Sequence, residues 1–280
     1  MAARRTPLGL FLRNPTGLAG LSILFLVIAA AVLAPWLFPD DPLDMVARPF
    51  VWPLDDGAVP LGSDSLGRNV LAGIVHGARV SVLIGFAATS IGLVIGTVVG
   101  ASAGYFGGRV DDLLVRVMEL FQTFPPFLLI IVLVSITEPS VPTITMAIGV
   151  VSWPTIARLV RAEFRTLRER DFVLAAQGLG YGRIRIVFRE ILPNAMAPVI
   201  VTASVMVATA ILNESALSFL GLGDPNLVSW GSMIGAGRDQ LRTAWFLVAL
   251  PGTALVLSVL SLNLVGDGLN DALNPRARGR

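Results

Sequence analysis

The chain has 280 residues, 54% hydrophobic and 14% charged, with a mean hydropathy of +0.76; an ordinary soluble domain carries about 25% charged residues, so this composition describes a multi-pass membrane protein. With no cysteine and one histidine, His76, it excludes disulfides and Cys/His metal clusters, and because all 21 basic residues are arginine it excludes a P-loop, whose Gly-Lys-Ser/Thr needs a lysine. The net charge is only +2, so the pI near 9.9 reflects arginine-rich loops beside a membrane rather than a nucleic-acid surface.

In chain order, residues 1–16 carry Arg4, Arg5 and Arg13 with no acid, and residues 17–38 are a near-continuous apolar run. The run is long enough to span a bilayer. It exceeds the roughly 7–15 apolar residues of a signal peptide, and Pro35 follows the one small-residue cleavage candidate at Ala34, so it is expected to stay as the first anchor. Residues 40–78 form a hydrophilic loop with six aspartates against Arg48 and Arg68, which suits the external side. Within it, Gly62 and Gly67 bracket Asp64 and Arg68, and a tight loop held by that charge pair is expected ahead of the alternative, direct contact with a substrate. Residues 80–105 are the second expected span. Gly92, Gly96, Gly100 and Gly104 fall every fourth residue on one stripe, which lets a neighbouring helix come close; packing within the chain's own bundle is expected, with a partner subunit as the alternative. After Gly107-Gly108, residues 113–136 are the third expected span. It opens with Arg116 and Glu119, expected to pair at i,i+3, and is kinked at Pro125-Pro126.

Residues 141–159 are the fourth expected span, and its helix continues with Arg158, Arg161, Arg165 and Arg168 on one stripe, expected to meet lipid phosphate, with a partner's carboxylates as the alternative. The stretch 165–194 is polar and basic between two apolar segments. Leu174, Ala175, Ala176, Gln177, Gly178 and Leu179 read as a short helix closed by Gly180. A turn at Tyr181-Gly182 leads to a second amphipathic helix, with Ile184, Val187, Phe188 and Ile191 on its apolar face, ending at Leu192-Pro193. Asn194 is placed to cap the next helix. Residues 195–212 are the fifth expected span and residues 244–264 the sixth. Glu119 and Glu214 are the two carboxylates an ion-coupled carrier could use.

Four motifs carry a resemblance. Ala175, Ala176, Gly180, Leu192 and Pro193 keep the spacing of the Glu-Ala-Ala, Gly, Ile-x-Leu-Pro loop of ABC importer permeases, with Leu174 standing at the Glu and Glu190 at the Ile position. Gly62-Ser63-Asp64-Ser65-Leu66-Gly67-Arg68-Asn69 resembles the Gly-Thr-Asp-x-x-Gly-Arg-Asp signature of the dipeptide/oligopeptide subfamily. Glu214 to Gly223, with Ser229-Trp230-Gly231 after it, resembles that subfamily's Glu-x-x-Leu-Ser-Phe-Leu-Gly-Leu-Gly and Ser-Trp-Gly. Asn263 to Arg276 resembles its C-terminal tail.

The resemblance implies an all-α membrane protein of six transmembrane helices with the type I ABC importer permease fold. It divides into residues 1–77 (first helix and external loop), 78–268 (five helices and the coupling loop 165–194) and the tail 269–280. It implies a non-catalytic subunit with no cofactor or metal of its own. ATP and Mg would be bound by two ATP-binding subunits docking at Leu174–Gly180 and Leu192-Pro193, beside a second permease chain, an external solute-binding protein and membrane lipid. Sixteen arginines, from Arg4 to Arg280, fall on one side; Arg48, Arg68, Arg79, Arg238 and Arg242 fall on the other. Both termini are therefore expected in the cytoplasm of a bacterial inner-membrane protein. The related permeases carry peptides, glutathione-like compounds or nickel; with no Cys and His76 beside the outer loop, a di- or oligopeptide is the expected substrate.

Overall fold

Backbone polar groups in lipid must be satisfied within the chain, which leaves helices as the economical answer for so apolar a sequence. The computed structural model describes residues 7–273; Arg4, Arg5 and the tail from Asn274 on, with Arg276, Arg278 and Arg280, lie outside the described residues. These hold helices α1 (Pro7–Phe11), α2 (Pro15–Leu37), α3 (Val70–Phe106), α4 (Gly108–Thr123), α5 (Pro126–Ile136), α6 (Val141–Arg168), α7 (Asp171–Gly178), α8 (Arg183–Arg185), α9 (Leu192–Phe219), α10 (Trp230–Gly237) and α11 (Phe246–Leu273). A π-helical turn, Ile186–Ile191, joins α8 to α9, so that one continuous helix of 37 residues runs from Arg183 to Phe219.

Among the described residues, five helices are long and apolar enough to cross a membrane: α2, α3, α6, α11 and the continuous Arg183–Phe219 helix. The sixth crossing is a broken one, because α4 and α5 meet at 80°. The third expected span, 113–136, is thus two helices. Proline cannot continue a helix and forces the residue before it out of the helical region; Phe124 and Pro125 both have extended backbones, with ψ of 142° and 124°. On α4, Arg116 and Glu119 point outward, and no ion pair joins them, contrary to the i,i+3 expectation.

The bundle is built on α3, which packs along α6 and also against α2 and α9; α11 packs on α2, α9 and α10. The glycine stripe makes the α3–α6 seam. A Cβ at Gly96 would stand 2.7 Å from Ile156 Cβ, one at Gly100 2.9 Å from Val160 Cβ, and one at Gly104 2.7 Å from Phe164 Cβ; at Gly92 it would stand 2.6 Å from Ser152 Oγ. Real carbon atoms do not approach so closely, and without side chains the two backbones gain dispersion contact that lipid cannot supply. Helix α3 begins at Val70 rather than near residue 80, because Asn69 caps it, accepting from Leu71 N and Ala72 N. Its first turns are buried, with Trp230 Nε1 donating to Ile74 O at 2.9 Å.

The connections place the ends. His76 Nε2 lies 2.9 Å from Phe38 O, joining the end of α2 to the start of α3, while Asn14 Nδ2 donates to Asp271 Oδ2 at 3.0 Å, joining the start of α2 to the end of α11. The start of α2, the end of α11, the end of α3, the end of α6 and α7 therefore share one end of the bundle. The loop before α3 lies at the other. In that loop the expected Asp64–Arg68 charge pair is absent: Asp64 Oδ1 instead accepts from Leu66 N and Arg68 N, at 2.8 and 2.9 Å. An aspartate two residues before a free N–H closes its own turn. Ser63 is the hub, donating to Arg48 O at 2.5 Å and accepting from Val51 N at 2.9 Å.

The motif around Glu214 also has a structural reading. The fifth span runs to Phe219, so Glu214 lies in the last turns of α9 and not beyond them. Its carboxylate is buried and accepts from Ser81 Oγ of α3 and Ser218 Oγ, at 2.9 and 2.8 Å. Ser229 and Ser232 form a reciprocal cap on α10. Gly231 lies so close to the Ser215 backbone that a Cβ has no room.

Candidate functional site

The polar stretch between α6 and α9 forms a capped helix at one end of the bundle. Helix α6 stays against α3 to its last residue, Arg168, and only Glu169 and Arg170 separate it from α7. Helix α7 buries Val173 and Ala176 among Phe164 of α6 and Ile186, Ile191 and Ala195 of the next helix. Its other face, Phe172, Leu174, Ala175, Gln177 and Gly178, is exposed.

Leu179 and Gly180 end the helix. Tyr181 N donates to Ala176 O at 3.1 Å and Gly180 N to Gln177 O at 2.9 Å, the paired bonds of a Schellman cap. Gly180 has φ of 77°, with open space around its Cα. The turn thus needs a left-handed residue but has room for a side chain. Leu179, 73% exposed, sits at the tip.

Beyond the turn the chain does not form a separate helix ending at Leu192-Pro193. Pro193 would set its ring against the carbonyl four residues back; the π turn just before it widens the coil, Leu192 N reaching back to Val187 O, and the helix passes through. Asn194 therefore caps nothing and its Nδ2 donates to Glu190 O at 2.7 Å. The widened turn also shifts the helix phase: Ile186 and Ile191 are buried, whereas Ile184 and Phe188, expected inside, are 77% and 63% exposed. Arg185 stacks on the Tyr181 ring, 3.8 Å from its centroid. Phe172, Leu174 and Leu179 are thus exposed apolar residues on and just past α7, which carries no acidic residue after Asp171, while Ile184 and Phe188 line a groove beside Tyr105 and Phe106 of α3.

Arginines brace this end from within. Arg161 forks onto Asp111 of α4 through Nε and Nη2, the latter at 2.7 Å, and Arg168 Nη1 donates to Tyr105 O of α3 at 2.9 Å. Arg165 Nη1 also lies 3.9 Å from Asp111 Oδ2, so three of the stripe's four arginines serve this chain rather than lipid. Sequence alone did not single out Asp111 as a partner; its signal was an acid beside a glycine turn facing an arginine stripe. Among the described residues, no three His, Asp or Glu side chains gather as around a metal ion.

Residues 92–279 match the family model described as a binding-protein-dependent transport system inner membrane component, and residues 9–53 match the N-terminal transmembrane domain of oligopeptide transport permease C. The chain is 41% identical to the di/tripeptide transport system permease protein DppC of Pseudomonas aeruginosa (strain UCBPP-PA14), over 96% of this chain and 90% of that one. It is 37% identical to the oligopeptide transport system permease protein OppC of Haemophilus influenzae, over 96% and 87%. Among solved structures, an inward-facing MetNI methionine ABC transporter chain superposes with a TM-score of 0.59 at 18% identity, over 72% of this chain and 96% of that one, which is a likeness of fold.

Proposed function

Because the chain belongs to the family of binding-protein-dependent transport system inner membrane components, we propose that it is the permease subunit of an ATP-driven importer of di- or oligopeptides. The peptide reading is supported by relatives named as dipeptide and oligopeptide permeases along nearly the whole chain. The subunit hydrolyses nothing itself; two ATP-binding partners hold ATP and Mg, a second permease chain completes the path, and an external binding protein delivers the peptide. Residues 1–77 serve as anchor, outer loop and the first turns of α3, residues 78–268 as translocation unit and residues 269–280 as tail. Both termini and α7 are cytoplasmic.

The observation that carries the mechanism is the seat of α7. Its exposed Phe172, Leu174 and the adjoining Leu179 offer a partner an apolar contact, while Val173 and Ala176 are embedded where α6 and the Arg183–Phe219 helix converge. Movement of α7 by an ATPase is passed to both helices at once, and from α6 to α3 through the glycine seam. Leu174 in place of an acid makes the docking contact less sensitive to salt than a charge pair would be. An ion-coupled carrier needs a free carboxylate in the path; Glu214 is taken up by serine hydroxyls, and Glu119 lies exposed on α4. Vesicles holding this chain with its partner subunits and binding protein test the reading: ATP hydrolysis stimulated by a dipeptide, with uptake of labelled dipeptide, is expected. ATP-driven uptake of nickel or glutathione without dipeptide would refute the substrate.

A further inference from the structure

At the end of the bundle opposite α7, the loop before α3, the α9–α10 connection and α10 close around a cavity of about 170 Å³. Most of its wall is apolar, including Leu43, Val70, Val228 and Met233, and three charged residues line it: Asp64, Arg68 and Asp224. The Arg68 guanidinium has no hydrogen bond or ion pair among the described residues, and its Nε is shut off from solvent. A buried charged donor left unpaired is costly, more so than a neutral one.

The two carboxylates do not relieve it, because backbone bonds hold them elsewhere. Asp64 Oδ1 accepts from Leu66 N and Arg68 N; Asp224 accepts from Asn226 N at 3.0 Å and from Val141 N at 3.2 Å. With one cation and two anions on the wall, a bare anion meets repulsion as well as attraction. A zwitterion does not, since it brings an ammonium for the aspartates along with a carboxylate for the arginine fork. The apolar wall then accepts a side chain.

We propose that this cavity binds the free termini of a short peptide on the outer side of the membrane, carboxylate to Arg68 and ammonium toward Asp64 and Asp224. The inference rests on the peptide reading above.

The complete importer in lipid nanodiscs, without its binding protein, is titrated with labelled dialanine, its C-terminal amide and its N-acetyl form. Free dialanine should bind roughly ten-fold tighter than the amide, on the scale of a charge-assisted hydrogen bond. Arg68→Gln should erase that preference, and Arg68→Lys, which keeps the charge, should retain part of it. Asp64→Asn leaves an oxygen for both backbone N–H groups and should lower the preference over the N-acetyl form alone. Unchanged discrimination in an assembled Arg68→Gln complex overturns the proposal. So does weaker docking of the binding protein in that variant without any change in peptide preference, which makes Arg68 a protein contact. A wild-type complex that imports dialanine with its binding protein but binds none in the nanodisc titration sinks the cavity alone, whereas one that imports no dipeptide sinks the peptide reading with it.

Discussion

Gly180 is the residue on which the proposed coupling loop turns, and the physical reason is its φ of 77° rather than crowding, since nothing lies near its Cα hydrogens. A β-branched residue held there costs about 1–3 kcal/mol of backbone strain, enough to tilt α7 or loosen its cap without unfolding a bundle held elsewhere. Gly180→Val should assemble in normal amounts yet transport slowly, and Gly180→Asn, a residue that tolerates the left-handed region, should transport much better. Uptake by Gly180→Val equal to that of wild type would remove the loop from the mechanism. Glu214 makes the opposite case, a conspicuous intramembrane carboxylate whose partners are all accounted for. Gln in its place keeps one oxygen for Ser81 or Ser218 and loses about one hydrogen bond, worth roughly 0.5–3 kcal/mol. Uptake driven by ATP should survive Glu214→Gln within a few-fold; its abolition in correctly assembled complexes would point to ion coupling.

Among the elements, the α3–α6 seam was legible because a single helix carries its whole signal: glycines every fourth residue share a face, and that face must meet something close. The break between α4 and α5 was legible in place but not in size. Pro125-Pro126 marks where the helix stops, whereas the 80° angle depends on how α4 lies on its neighbours. The π turn was hidden altogether, because a shift in helix phase is visible only once the i→i+5 bond exists; a regular 3.6-residue period through Ile184 and Phe188 puts the wrong residues inside. Likewise Ser81 and Glu214 are 133 residues apart, and no local pattern joins them. The seam yields a clear test. At Gly100 an added side chain meets Val160 Cβ and backbone of Ala157, neither of which can swing aside, so Gly100→Val should overpack by about 1–3 kcal/mol or more. Thermal unfolding of the purified complex should begin several degrees lower, while Gly178→Val, in open space at the tip of α7, should leave the transition within a degree or two. Equal stability of Gly100→Val and wild type would mean that α3 and α6 do not pack as described.

For the whole molecule, the same helices that bury the chain in lipid fix which loops reach which side, and the arginine distribution then decides the orientation. Among the described residues, five unbroken spans and one broken one return the end of α11 to the side where α2 starts, and Asn14 with Asp271 joins those two ends directly. The loop before α3 and the tip of α7 are thereby on opposite faces, whichever way the protein inserts. The positive-inside rule counts arginines in short loops near span ends. Arg170, Arg183, Arg185 and Arg189 cluster around α7, against Arg48 and Arg68 in a loop that also carries six aspartates. The chain has no cysteine to remove first, so single replacements report cleanly. Ala58→Cys, exposed in the loop before α3, should react with a membrane-impermeant maleimide on intact cells, and Glu169→Cys, at a site 79% exposed beside α7, should react only after the membrane is opened. Labelling of Glu169→Cys on intact cells with Ala58→Cys protected would invert the orientation and place α7 where no cytoplasmic ATPase could reach it; labelling of both on intact cells would mean that an even number of crossings separates them and that the broken span does not cross.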